Sequence, residues 1–329
     1  MRLIRPSYEI IEQGPGLQGI YDIIEKCGKT SYKSEAKGGD VAKKFVEARA
    51  KERHGAVLEF GTVYLLIKTT WDGGGWGAID FYKGNPYTKV KEYLDLDSST
   101  YYITTNYRVL VENNRLVDLK YQCEPTEYHE KRYAVKFITD IGVGREFLRH
   151  RVMSMVQEST RYVNYTKEKF GEEVTFVIPP WIPKETLAGG ENITWWDGDW
   201  VNTKEMKIVK YGPEDNDYDA VDTWLFSLSS ADQDYRVLLN KGWTPQQARG
   251  VLPLSTKTEF VLCGFADAWI HFFRLRSDIA ATGAPHPQAQ ELANPLRDEF
   301  IERKYLTAEA LENDVMAGFD VVISDTELK

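Results

Sequence analysis

Four arginines and a histidine crowd one short stretch. Arg145, Arg149, His150, Arg151 and Arg161 lie within REFLRHRVMSMVQESTRY, whose only acids are Glu146 and Glu158. A guanidinium is always charged and offers a planar fork of donors that suits phosphate or carboxylate. Such a cluster calls for an anionic ligand, and a phosphate ester fits it best. Ser159 sits in the same stretch, but a serine becomes a nucleophile only beside a base. The nearby His150 stands between two arginines that oppose its protonation. Ser159 therefore reads as a hydrogen-bond donor to a bound substrate.

The elements that must position these groups come just before them. VKFITD is an apolar, strand-like run that breaks at Gly142 and Gly144, and REFL reads as a short helix. The arginines thus stand at the end of buried structure. The 329 residues are 42% hydrophobic and 28% charged, enough for a large core in one elaborated domain or two small ones. A net charge of −9 argues against a nonspecific grip on nucleic acid or anionic membrane, so positive potential must be local. No apolar run approaches bilayer length and no cleavable leader opens the chain, which makes the cytoplasm the expected compartment. Cys27, Cys123 and Cys263 show no CxxC or zinc spacing and read as buried thiols. No metal site is expected either: Asp215, Asp217 and Asp219 alternate as in a calcium loop, but Ala220 stands where that loop needs glycine.

The stretch Arg149-His150-Arg151, seven residues, Ser159, Thr160, Arg161 and Tyr162 resembles the motif of the flavin-dependent thymidylate synthases at every fixed position. Two later segments look like the same family: Ala248 to Leu254, containing Arg249, and Phe272 to Arg276. The resemblance implies an α/β (α+β) fold, a mostly antiparallel sheet flanked by helices and not a Rossmann fold. It implies a single domain over 1–329, with insertions at about 70–132 and 181–216. It further implies reductive methylation of deoxyuridylate (dUMP) to thymidylate, with FAD as cofactor and NADPH and 5,10-methylenetetrahydrofolate as co-substrates. The expected assembly is a homotetramer with sites shared between subunits.

Carried over residue by residue, the resemblance gives Arg149, His150, Arg151, Ser31 and His271 to FAD. It gives Arg145, Glu146, Gln157, Ser159, Arg161, Arg249 and Arg276 to dUMP, with Ser159 and Arg276 nearest the chemistry. Several positions depart from the family. Phe60 replaces a histidine that would approach the flavin, Val156-Gln157 replaces Asn-Glu, and Phe265 and Asp267 replace polar or basic flavin contacts. Glutamine cannot act as a base. A catalytically degenerate flavin- or nucleotide-binding protein of the same fold is therefore the second reading. The third is a structural protein whose arginines bridge acids at a subunit interface.

Along the chain, Leu17–Lys26 and Asp40–Glu52 read as helices, the first ending near Gly28. His54 reads as a surface residue. Trp71–Gly77 formally contains a dinucleotide fingerprint at Gly73, Gly75 and Ala78, but the residues after it do not read as the helix that such a site needs. Residues 101–121 alternate like two strands about an Asn113-Asn114 turn, a β-hairpin candidate. The Trp-rich stretch 184–202 reads as irregular, with Trp195, Trp196 and Trp200 either a stacking platform or packed residues. Tyr218–Gly242, the segment capped by Thr244-Pro245, the face carrying Ala266, Trp269, Ile270 and Phe273, and the stretch after Pro285 read as helices.

Overall fold

The computed structural model describes residues 1–31, 34–70, 76–94, 98–161, 164–165, 173–187, 192–213, 217–280 and 283–312. Tyr32, Gly73, Gly75, Tyr162, Asp215 and the tail from residue 313 lie outside these ranges. The chain divides into two compact units, Met1–Phe265 and Ala266–Lys329.

The first unit begins with β1 (Arg2–Ile4), β2 (Ser7–Ile11), α1 (Gly16–Thr30), α2 (Gly39–Lys51) and the single turn α3 (Gly55–Leu58). Next come β3 (Thr62–Thr70), α4 (Trp76–Gly84), β4 (Lys89–Leu94), β5 (Ser98–Asn106) and α5 (Tyr107–Glu112). They are followed by β6 (Arg132–Asp140), α6 (Ile141–Phe147), β7 (Ser154–Gln157) and β8 (Thr175–Val177). The unit closes with β9 (Ile193–Trp196), β10 (Asp199–Asn202), β11 (Lys207–Lys210), α7 (Ala220–Asn240), α8 (Pro245–Ala248) and β12 (Lys257–Phe265).

A four-stranded antiparallel sheet, in the order β2-β6-β12-β7, positions the motif. Its interior strand β12 is buried on both faces from Phe260 to Cys263. A strand of that kind shows an unbroken apolar run instead of alternation. On one face Phe260 stacks on Phe137, with ring centroids 5.4 Å apart, and Phe147 of α6 meets Phe137 edge-on at 5.2 Å. On the other face Ile11, Ala134, Val261 and Cys263 pack with Phe60 and with Ile23 and Cys27 of α1. Burying each large apolar side chain of this kind contributes about 1.5–3 kcal/mol.

Several expectations need correction. Helix α1 runs past Gly28 to Thr30 because Gly28 is no helix end: a Cβ there would come within 2.9 Å of the Phe45 ring of α2, so glycine allows the two helices to close up. Gly142 and Gly144 lie inside α6 and do not break before it. Residues 107–112 are helical, not a second hairpin strand, since Asn106 caps α5 by accepting from Val109 N at 3.1 Å. The Asn113-Asn114 turn falls at the end of that helix, with Asn114 at φ 55°, and the hairpin partner of β5 is β4.

A helix does follow the glycine-rich stretch, as α4. The strands flanking it, β3 and β4, both pair antiparallel with β5, so no parallel β-α-β unit arises. The Trp-rich region is a meander of β9, β10 and β11. Trp200 is fully buried and donates from Nε1 to Asp222 of α7 at 3.0 Å, while Trp195 packs on Trp200 and Phe226. Only Trp196 of the three is largely exposed, at 64%.

The second unit holds α9 (Ala266–Arg276), α10 (Pro287–Glu302) and α11 (Ala308–Glu312). Trp269, Phe272, Phe273 and Phe300 form its aromatic core. Among the described residues no helix is long and apolar enough to cross a membrane.

Candidate functional site

The arginine-rich segment bridges α6 and β7. Asp140, the last residue of β6, starts α6 by accepting from Val143 N at 2.9 Å, and Ile141 N donates to Thr256 O at 3.0 Å. The helix lies close on β12: a Cβ on Gly144 would sit 3.2 Å from Thr258 Cγ2. A tight turn over 149–153 then reverses the chain, with Met153 N bonded to His150 O at 3.1 Å, and β7 pairs back onto β12. His150 is buried inside this turn. Arg145, Arg149 and Arg151 are exposed, and among the described residues their side chains make no ion pair or hydrogen bond. Three unpaired guanidiniums in a chain of net charge −9 mark a local anion-attracting surface.

Past β7 the segment from Glu158 to Arg161 is tied down from several sides. Ser159 N donates to Ser31 O at 3.2 Å, which joins the end of α1 to the motif, and the Ser31 hydroxyl donates to Gly28 O at 2.8 Å. Ser159 Oγ accepts from Arg161 N at 3.3 Å, and among the described residues no base hydrogen-bonds to it. Gln157 donates to Thr258 Oγ1 at 3.0 Å, so its amide is engaged within the sheet. Arg249, 89 residues away in sequence, donates from Nη1 to Thr160 Oγ1 at 2.7 Å. The structure thus brings Ser31, Gln157, Ser159, Arg161 and Arg249 into one neighbourhood. Glu146 is half-buried on α6.

The sheet face under α1 changes character along its strands. It is apolar around Ile11, Ala134, Val261 and Cys263 and charged further along, where Glu9 pairs with Lys26 of α1 and Lys136, Glu259, Glu158 and Lys257 gather. Lys257 Nζ lies 2.9 Å from Glu158 Oε2 and also bonds Glu259, whose other oxygen is 2.6 Å from Lys136. Burial alone would raise the Glu259 carboxyl, but Lys257 and Lys136 overturn that and hold it at about 2. A cavity of about 890 Å³ opens over this charged half, lined in part by Lys26, Lys29, Thr30, Ser34, Lys136 and Glu259. None of this network follows from the arginine motif. Its one sequence signal is Lys257-Thr258-Glu259, whose ends share a strand face.

His271 and Arg276 lie on α9 of the second unit, His271 exposed and Arg276 half-buried. Five residues apart, they point roughly 140° away from each other around the helix. Asp267 lies in the first turn of α9, its side chain accepting from Ala268 N at 2.9 Å. Phe60 is fully buried in the core beneath α1, so an aromatic ring packs there and no polar contact is offered to a ligand. His54 is exposed. Cys27 and Cys263 share that core, and burial pushes both thiols up, as it does the half-buried Cys123. A thiolate nucleophile has no support in this setting.

The family model described as "Thymidylate synthase complementing protein" matches residues 125–303, which contain the arginine segment, β12 and both later arginines. The chain belongs to this family. Among curated relatives, the flavin-dependent thymidylate synthase of Thermosipho africanus is 26% identical over 159 residues, 48% of this chain and 60% of that one. That of Synechocystis is 38% identical over 80 residues, 24% and 35% of the two chains. The chain thus matches about three-fifths of the length of its Thermosipho relative. A solved structure of the UMP/dUMP methylase PolB from Streptomyces cacaoi aligns over 92% of this chain and 93% of that one, with 16% identity and a TM-score of 0.40.

Proposed function

We propose that the protein is a flavin-dependent thymidylate synthase, converting dUMP to thymidylate with FAD, 5,10-methylenetetrahydrofolate and NADPH. The observation that carries this reading is the convergence of Arg249 and Ser31 on the Ser159–Arg161 end of the motif. The donor set fits an anionic cofactor and an anionic substrate: the exposed guanidiniums of Arg145, Arg149 and Arg151, and the Arg249 guanidinium beside the hydroxyl of Thr160, suit phosphate groups. Arg149, His150 and Arg151 hold FAD, with Ser31 and His271 as further contacts. When bound, the flavin supplies the reducing equivalents that the methylation requires.

The remaining chemistry belongs to the side chains. Arg145, Glu146, Gln157, Ser159, Arg161, Arg249 and Arg276 bind dUMP, and their fixed positive charge favours the negative charge that a uracil ring gathers in the transition state. Ser159 receives the Arg161 amide on its oxygen and keeps its proton to donate to substrate. The enzyme acts as a homotetramer, as the resemblance implies, and sedimentation of the purified protein tests that.

The deciding experiment is thymidylate formation by purified protein, leaving out FAD, folate and NADPH in turn. Product that needs all three is expected. A protein that binds flavin and dUMP but yields no product would favour the degenerate binding protein. That second reading draws on one observation: Gln157, where the resemblance implies a glutamate, is bonded into the sheet and offers no carboxylate.

A further inference from the structure

We infer that Lys257 is a positioning residue for the nucleotide-binding segment and acts through Glu158; the inference rests on the reading of Ser159 and Arg161 as dUMP contacts. Strand β7 ends at Gln157. Glu158 is the first residue beyond it, still anchored by its backbone N to Glu259 O at 2.7 Å. Its side chain is 1% exposed and reaches Lys257 Nζ, itself 7% exposed, at 2.9 Å. The ties on the next two residues, Ser31 to Ser159 and Arg249 to Thr160, come from partly or fully exposed groups. Lys257 is the buried tie.

The network is unsymmetrical. Glu259 has two lysines, Lys257 and Lys136, whereas among the described residues Lys257 is the single hydrogen-bonding partner of the Glu158 carboxylate, whose Oε1 is buried without one there. An ionised carboxylate cannot remain buried with no counter-charge; it takes up a proton or swings to water. Ser159 follows directly in the chain, so loss of Lys257 misplaces the Ser159–Arg161 grip while Glu259 keeps Lys136. An apolar pair at 158 and 257 could match the ion pair in stability, but it would not fix direction.

Three variants test this, with dUMP affinity measured calorimetrically, flavin retention by absorbance, kcat and KM, and thermal unfolding. Lys257→Met is expected to raise the dUMP Kd and KM at least tenfold, with flavin retention changed less than threefold. Lys257→Arg, which keeps the charge, is expected to restore most of the affinity. The double variant Lys257→Met/Glu158→Leu removes both buried charges and serves even where Lys257→Met fails to fold. It is expected to melt near the wild-type temperature and still bind dUMP at least tenfold more weakly. A double variant that binds dUMP as the wild type does would overturn the inference, because Lys257 would then serve stability alone. A wild-type protein that fails to bind dUMP would overturn the functional reading instead.

Discussion

Arg249 reaches across 89 residues of sequence to donate to Thr160 Oγ1 at 2.7 Å, in the residue between Ser159 and Arg161. The contact places the guanidinium of the second family segment at the centre of the first. If Arg249 binds the nucleotide, Arg249→Ala should weaken dUMP binding at least tenfold, the equivalent of about 1.4 kcal/mol. Thr160→Val should do much less. The bond is exposed, so that variant should shift stability by no more than about 0.5 kcal/mol. Calorimetric titration with dUMP and urea unfolding of both variants check the pair.

Phe60 stands where the family resemblance implies a histidine, yet it is fully buried among Ile11, Ile23, Cys27, Ala134, Val261 and Cys263. Phe60→Ala should cost about 3–5 kcal/mol through the cavity it leaves. Phe60→His should not recover a flavin contact; it should cost on the order of 1–3 kcal/mol by burying an imidazole with nothing to bond. Chemical denaturation, read beside flavin retention, separates the two effects.

The Glu259 carboxyl is held at about 2, below its usual 4.5, by Lys257 and Lys136 against the opposing effect of burial. A depressed carboxyl contributes stability that is complete above about 4.5 and lost as pH falls toward 2. The displacement corresponds to about 3 kcal/mol. Unfolding free energy should therefore fall steadily with pH across that acidic window, and Glu259→Gln should flatten the slope there. An unchanged slope in the variant would remove Glu259 from the account.

Burial raises the Cys27 and Cys263 thiols, so neither is a ready thiolate at neutral pH. A thiol reagent should titrate both only after unfolding. Replacement of all three cysteines by alanine or serine should leave turnover per folded molecule within about threefold, since no step of the proposed reaction uses one.

The arginine segment was legible in sequence because its chemistry lies in neighbouring residues, and the family followed from its spacing. Helices α2, α7 and α10 were legible in sequence, whereas the Asp219 capping box that starts α7 appeared only in the fold. Other parts were hidden for identifiable reasons. Residues 107–112 alternate like a strand, but the Asn106 cap turns them into helix. Strands β9 to β11 are four residues each, too short for a period to show. The approach of Arg249 to Thr160 and the pairing of Lys257 with Glu158 depend on strand pairing, which spacing along the chain does not encode. For Phe60, the resemblance identified the departure; the burial that explains it appeared only in the fold.

Strand β12 carries Phe260 and Leu262 toward one face of its sheet and Lys257, Glu259, Val261 and Cys263 toward the other. A slip of one residue in its pairing would drive a lysine and a glutamate into the phenylalanine cluster and leave Phe260 among charges. Both faces thus forbid the same error. β12 pairs with β6 and β7 at once, so it acts as a ruler that sets how far the arginine turn stands from the charged row. Misfolded registers should be rare for this strand even though Lys257 is buried and Glu259 half-buried, because those charges help to exclude them.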